Sequence, residues 1–202
     1  MNESAVLRVT ASIALLLALL LGGCRGEAGP RPLEGASMGG PFTLTSHDGR
    51  RVSDAQFAGK YRLVYFGFTF CPDVCPVDLQ AIGAGLRRFE QSDADRAAKV
   101  QPIFITVDPA RDTPEVLRRY VANFHPRLIG FTGTDAEIAA VARAYGIYYQ
   151  RGRPAPGRPA GEYAVDHSRQ AVLYDPEGRP IVIGPADQGA DAVAAELDRW
   201  VR

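Results

Sequence analysis

Residues 66–76 read FGFTFCPDVCP, and they separate two different sequence patterns. The stretch at residues 61–68 is an aromatic and β-branched run, which is typical of a buried central strand. The stretch at residues 79–89 carries apolar residues at helical spacing. Cys71 and Cys75 are therefore predicted to lie where a central strand gives way to a helix.

The pattern continues outward from this segment in both directions. Residues 100–107 and 128–132 predict two further buried strands, and residues 113–115 and 134–137 carry helix-capping signals that follow them. Before the central strand, residues 41–53 predict a hairpin that turns at Asp-Gly.

The C-terminal part of the chain predicts a second antiparallel pair within residues 170–183 and a closing helix at residues 189–201. This order of elements predicts an α/β fold with a central mixed sheet, helices on both faces and an N-terminal β-hairpin.

The cysteine pair has the spacing and the position of a reactive site. Ligands of open α/β sheets bind at the carboxyl ends of strands, and a helix N-terminus there favours the thiolate form of a cysteine. Cys71 and Cys75 are four residues apart, so on a helical turn both would lie on one face. Two such sulfurs can chelate one ion, and thiolates favour Cu(I), or they can bond to each other.

A third ligand would come from one of three histidines. We interpret His47 as a solvated turn residue and His125, which precedes a proline, as a structural residue at a helix end. His167 lies in Asp166-His167-Ser168 between a Gly- and Pro-rich loop at residues 151–161 and a strand, and such a loop can fold over the sheet edge. A plain structural disulfide is the competing reading of the cysteines, but closing so short a loop adds little stability. A structural zinc site would normally need four ligands.

The N-terminus predicts export. Residues 11–21 read ASIALLLALLL, which is too short to span a bilayer as a helix and fits the apolar region of a signal peptide. Residues 21–24 read LGGC and resemble a bacterial lipobox, so we expect a lipoprotein signal peptide at residues 1–24 and a lipid on Cys24. The competing reading is an uncleaved signal anchor. Residues 25–40 then predict a flexible tether, and residues 41–202 the folded domain.

The charge composition argues against one class of partner. Lys+Arg and Asp+Glu both number 23, so the chain has no net basic charge with which to meet phosphates. We therefore expect no nucleic-acid partner.

Three motifs together resemble the Sco/SenC family: residues 66–76, residues 107–114 (VDPARDTP) and residues 166–168 (DHS). The resemblance implies a thioredoxin-like fold, with copper bound by Cys71, Cys75 and His167 and with Asp108 in a supporting role near the metal. From the predicted lipoprotein signal we expect a place on the extracytoplasmic, periplasmic side of the cell envelope, anchored to the membrane. One departure is Phe70, where many relatives have a polar residue; it is not a ligand position.

The same resemblance implies a partner, the CuA domain of subunit II of cytochrome c oxidase, and a possible periplasmic copper donor. It leaves two functions open. A metallochaperone would deliver copper to CuA, whereas a thiol–disulfide oxidoreductase would use a redox-active Cys71–Cys75 disulfide. The extra residue between the cysteines, relative to C-x-x-C, and the available His167 favour copper. We therefore do not expect a classical enzyme beyond thiol–disulfide reduction.

Overall fold

The computed structural model describes residues 29–153 and 163–202. The predicted signal peptide with Cys24 and most of the predicted loop at residues 151–161 lie outside the described residues. Within the described ranges, no helix combines the length and the hydropathy that a membrane span requires.

A seven-stranded sheet and a two-stranded ribbon form the β structure of the described chain. The sheet has the order β2-β1-β5-β4-β3-β8-β9, and the ribbon pairs β6 with β7. The strands are β1 Thr43–Ser46, β2 Arg51–Ser53, β3 Tyr61–Gly67, β4 Val100–Thr106, β5 Ile129–Thr132, β6 Tyr149–Arg151, β7 Val165–His167, β8 Ala171–Tyr174 and β9 Pro180–Gly184.

Parallel pairing at the centre brings the carboxyl ends of neighbouring strands to the same end of the sheet. β3 pairs in parallel with β4, and β4 with β5, whereas β8 and β1 join this core in antiparallel orientation. Both central strands are buried along their whole length, which fits their predominantly apolar sequences. The carboxyl ends of β3 and β4 therefore open at the same edge, where the chain continues into the cysteine segment.

Five α-helices lie among the described residues: α1 Val74–Ser92, α2 Ala94–Ala97, α3 Pro114–Val121, α4 Asp135–Ala144 and α5 Ala190–Trp200. The predicted capping signals are present: Thr113 caps α3, and Thr134 with Glu137 forms a capping box on α4.

The two faces of the sheet carry different aromatic contacts, and helices cover both. On one face Phe104 packs against Tyr120 of α3, with ring centroids 5.7 Å apart. On the other face Phe66 packs against Tyr145 at the end of α4, at 5.6 Å. The predicted mixed sheet with helices on both faces is confirmed, and the N-terminal hairpin pairs β1 with β2 as expected.

The docked part of the chain begins earlier than the predicted boundary at residue 41. Arg31 forms an ion pair with buried Asp175 at 2.6 Å, and the Leu33 amide donates to the Ile181 carbonyl at 3.0 Å. Gly39 likewise donates to the Ala144 carbonyl at 2.8 Å. The described end of the predicted tether thus packs on the domain, because it carries polar and apolar anchors that a composition argument overlooks.

Candidate metal centre

The cysteine segment is a turn followed by the first turn of a helix. The Cys71 amide donates to the Phe68 carbonyl at 3.3 Å, and α1 then begins at Val74, so that Cys75 lies in its first turn. Gly67 ends β3 directly below, and a Cβ atom there would lie 2.9 Å from the Cys75 sulfur. A glycine is therefore needed for the Cys75 side chain to pack against the strand end.

A buried carboxylate holds the turn before Cys71. Asp112 accepts hydrogen bonds from the Thr69 amide at 3.1 Å and from the Thr69 hydroxyl at 2.5 Å. The Thr106 hydroxyl at the end of β4 donates to the same carboxylate at 2.5 Å. Burial raises the pKa of Asp112 despite these bonds. The residue thus ties the cysteine turn to the carboxyl end of the neighbouring strand.

His167 reaches the cysteines on the two-stranded ribbon. The sequence places His167 between the predicted loop at residues 151–161 and the next strand. In the structure residues 165–167 form β7, with His167 opposite Tyr149 of β6. The Ser168 amide donates to the Tyr148 carbonyl at 2.9 Å, and the Tyr148 amide donates to the Ser168 hydroxyl at 3.0 Å. Phe68 meets the imidazole edge-on, with ring centroids 5.8 Å apart.

These elements bring three soft or borderline donor atoms together. The Cys75 Sγ lies 3.2 Å from the His167 Nε2, and the ligand atoms of Cys71, Cys75 and His167 all lie within 4.8 Å of one another. Cys75 is fully buried, whereas Cys71 and His167 are partly exposed. Both thiols are free in this structure.

The hydrogen bond of the other ring nitrogen sets the tautomer of His167. Its Nδ1 lies 3.0 Å from the Ser168 carbonyl, which can only accept, so Nδ1 carries the proton. In the neutral ring Nε2 then offers a lone pair toward the cysteines. Burial lowers the pKa of His167, which favours that neutral form.

The thiol of Cys75 differs from the expectation for a helix N-terminus. The sequence predicts that the thiolate form of Cys75 is favoured, but burial raises the pKa of this thiol to about 12. A hydrogen bond with the Phe68 backbone lowers the pKa, but by less than burial raises it. The cost of placing a charge in a buried site outweighs the helix dipole here. Without a bound cation, Cys75 is therefore a thiol at neutral pH.

Asp108, the predicted supporting acid, is fully buried but binds residues other than the cysteines. It accepts from the Tyr163 hydroxyl at 2.7 Å, forms an ion pair with Arg111, and lies 3.5 Å from an Arg151 nitrogen. Arg151 and Tyr163 flank residues 154–162, so Asp108 holds both ends of the segment that leads to His167.

Asp78 is a further buried acid near the site, which the sequence did not single out, and it lies one helical turn after Cys75. It accepts from Arg169 at 2.6 and 2.8 Å and from the Tyr65 hydroxyl at 3.0 Å. Its position on the apolar face of α1, among Cys75, Leu79 and Ile82, is a signal that could have been read from the sequence.

The other two histidines lie outside the donor group, and one of them differs from its interpretation. The His47 ring is largely buried, and its Nδ1 accepts from the Gly130 amide at 2.9 Å, so it is not a solvated turn residue. His125 is buried and bonded to Glu90 and Arg127, as expected for a structural residue.

The fold and the site together define a class: an α/β protein with two cysteines and one histidine gathered at the carboxyl ends of its central strands. The SCO1/SenC family model matches residues 30–202, and the chain belongs to this family. "Protein SCO1 homolog, mitochondrial" from Homo sapiens is 42% identical over 166 residues, which are 82% of this chain and 53% of the relative. The chain spans about half the length of the curated relatives it matches.

Solved structures agree with this assignment. The structure of Bradyrhizobium japonicum ScoI with copper bound is 39% identical, covers 81% of this chain and 99% of its own, and has a TM-score of 0.71. The thioredoxin domain of a thiol-disulfide oxidoreductase from Bacteroides vulgatus is 17% identical, covers 82% and 96%, and has a TM-score of 0.56. The latter likeness concerns the fold alone, and it confirms the thioredoxin-like architecture.

The donor set suits a soft or borderline metal ion. Two sulfurs and one imidazole nitrogen without a proton converge from a helix turn and a ribbon. Thiolate and imidazole are ligands that copper accepts in both of its common oxidation states.

Proposed function

We propose that this chain binds copper through Cys71, Cys75 and His167. The observation that carries the proposal is the convergence of the three donor atoms within 4.8 Å of one another. The two thiolates match Cu(I), and the imidazole adds a ligand that suits Cu(II).

The residues around the site divide the work of binding. Asp112 fixes the turn that carries Cys71, and Gly67 leaves room for the Cys75 sulfur. The Nδ1–H of His167 donates to the Ser168 carbonyl, so the lone pair of Nε2 is available to bind the metal. Cys75 must lose its proton on binding, because a thiol is a poor ligand.

Family membership and the N-terminal pattern support a proposal for the cellular role. We propose an extracytoplasmic metallochaperone that assists assembly of the CuA centre in subunit II of cytochrome c oxidase, by copper delivery, by reduction of its cysteines, or by both. The resemblance of the three motifs supports this role, as does the partial exposure of Cys71, through which a partner thiol can reach the site.

Anaerobic copper titration of the full chain in detergent tests the binding proposal. The reduced protein should bind one Cu(I) per chain in competition with a Cu(I)-specific chelator, and prior oxidation of Cys71 and Cys75 should block binding. Equal binding by reduced and oxidised protein would contradict the thiolate site.

A second function, thiol–disulfide exchange without copper, is supported by the unequal exposure of the two cysteines. Cys71 is accessible while Cys75 lies beneath it, an arrangement that suits an attacking and a resolving thiol. The measurement that separates the two functions is reduction of an oxidised CuA domain by the metal-free chain. Efficient reduction by a His167→Ala variant that no longer holds Cu(II) would favour the exchange function.

We further propose that Cys24 is the lipidated N-terminal residue of the mature protein and anchors it to the membrane. The support is the LGGC pattern after an apolar stretch. Mass spectrometry of the membrane-extracted protein should find an acylated Cys24 at the N-terminus. An intact signal segment with an unmodified cysteine would contradict the proposal.

A further inference from the structure

Asp78 is a buried carboxylate directly behind the cysteines. Its side chain is 1% exposed, and it lies three residues after Cys75 on the inner face of α1. A carboxylate so buried needs charged or hydrogen-bonding partners, because an unpaired charge in the interior is costly. Its partners therefore indicate what this end of the helix is built to hold.

The main partner of Asp78 comes from the histidine side of the site. Arg169 lies two residues after His167, and its Nε and Nη2 donate to the two carboxylate oxygens at 2.8 and 2.6 Å. This two-point geometry fixes the direction of the guanidinium as well as its distance. The Tyr65 hydroxyl of β3 donates to the same carboxylate at 3.0 Å, which completes a link between α1, the sheet and the segment after β7.

The strand that carries His167 needs such a link. Within the described residues, β7 is paired with β6 and with no strand of the seven-stranded sheet. Backbone hydrogen bonds of β7 therefore do not join it to the strand and helix that carry the cysteines, and the chain is next fixed to β3 at Ala171. Side-chain contacts between these two points help to set the distance between His167 and Cys75.

We propose that the Asp78–Arg169 pair is a positioning clamp, which holds His167 against Cys75 before any metal binds. The inference rests on the proposed copper function. The clamp adds to that function a role for two residues outside the ligand set, since Asp78 and Arg169 position the His167 imidazole. The clamp lowers the conformational freedom that the ligand segment would otherwise lose on binding.

A metal-free measurement tests the clamp independently of copper. In the wild-type chain, nuclear magnetic resonance of the ¹⁵N-labelled His167 ring should show the Nδ1-protonated tautomer and restricted ring motion. Arg169→Ala should increase that motion. Arg179→Ala is the matched control: it removes an arginine bonded at 2.7 Å to another buried carboxylate, Asp175, in the β8–β9 turn. This control should leave the His167 signals unchanged.

Copper affinities then test how the clamp acts. Arg169→Ala should weaken Cu(II) binding about 10–100-fold, the range typical of lost outer-shell partners. Cu(I) binding should change much less, because the two thiolates dominate it. In a His167→Ala background the same change should have little further effect, since the clamp works through the imidazole. Arg169→Lys should restore only part of the affinity, because lysine lacks the two-point fork.

The outcomes separate the clamp from the copper proposal. Loss of ring order in Arg169→Ala supports the clamp even if the wild-type chain binds no copper, a result that would overturn the proposed function alone. Unchanged ring signals and an unchanged Cu(II) affinity in Arg169→Ala would overturn the clamp. Equal losses of Cu(II) affinity in the wild-type and His167→Ala backgrounds would also overturn it.

Discussion

His167 and His125 are both partly or fully buried, and burial lowers the pKa of both rings, yet they present opposite nitrogens to their surroundings. In His125 the Nδ1 accepts from the Arg127 amide at 3.2 Å, so Nε2 carries the proton and faces Glu90 at 3.4 Å. In His167 the Nδ1–H donates to the Ser168 carbonyl, and the unprotonated Nε2 accepts from the Cys75 thiol at 3.2 Å.

The difference shows how the backbone selects a function for a histidine. When a backbone amide donates to Nδ1, the proton of the neutral ring lies on Nε2, which is then a hydrogen-bond donor. When Nδ1 instead donates to a backbone carbonyl, Nε2 keeps its lone pair and can bind a metal. His47 follows the first pattern, since its Nδ1 accepts from the Gly130 amide. Among the three histidines, therefore, His167 alone presents an unprotonated nitrogen to nearby sulfurs.

The largest effect is expected from the cysteines, whose sulfurs are the neighbours that distinguish His167 from His125. Cys71→Ser and Cys75→Ser should each abolish tight Cu(I) binding, because a hydroxyl is a poor soft ligand. Chelator competition under anaerobic conditions measures the loss. His125→Ala and His47→Ala serve as controls with unchanged affinity, and retention of full affinity by either serine variant would refute the assigned ligands.

The next largest effect concerns His167 itself. Loss of an outer-shell partner typically lowers metal affinity about 10–100-fold, and His167→Ala should lower the affinity for Cu(II) by more than that. The affinity for Cu(I) should fall far less, because the two thiolates hold that ion. The sulfur-to-copper charge-transfer band of the Cu(II) form should weaken or shift. Identical spectra and Cu(II) affinities for His167→Ala and the wild type would remove His167 from the site and end the contrast with His125.

Copper binding should also depend on pH, because Cys75 must lose a proton whose pKa is raised to about 12. Metal competes with that proton, so the apparent Cu(I) affinity should rise with pH by about tenfold per unit for each proton released. Titration calorimetry in buffers of different ionisation enthalpy counts the protons. A pH-independent affinity between pH 6 and 8 would show that Cys75 is already a thiolate or is not a ligand.

Replacing His125 should change the stability of the fold, whereas replacing His167 should change the affinity for copper. His125→Ala removes an acceptor for the Arg127 amide and a partner of Glu90 inside the protein. We expect the free energy of unfolding to fall by roughly 1–3 kcal/mol, the usual cost of an unsatisfied buried group. Denaturant unfolding of the metal-free chain measures this change, and a stability equal to that of the wild type would contradict the structural role.

The smallest effect is expected from mild acid. Burial lowers the pKa of His125 below its usual value, so the unfolded chain takes up a proton on this ring more readily than the folded one. Stability present at neutral pH should therefore decline as the pH falls below about 6.5, by at most about 1.4 kcal/mol per pH unit for one ring. His125→Ala should reduce that pH dependence; an unchanged slope would assign it to other groups.

Much of the fold was predictable because its signals are local. The apolar run at residues 61–68 and the capping box at Thr134 and Glu137 each fix an element through interactions within a few residues. The described residues 29–40 show the limit of this reasoning. Their composition predicts a tether, but Arg31 and Leu33 find partners in the β8–β9 hairpin, more than a hundred residues away.

The sequence by itself determined that Cys71 and Cys75 share the end of a central strand, because a spacing of four residues at a strand-to-helix junction leaves little choice. It also supplied, through three motifs, the family to which the chain belongs. Only the tertiary structure decided that His167 meets Cys75 with an unprotonated nitrogen, that burial keeps Cys75 protonated, and that Asp78 and Arg169 join the two sides of the site. Each of these depends on which residues surround a group in space, and the local pattern of a sequence does not record desolvation or contacts between distant segments.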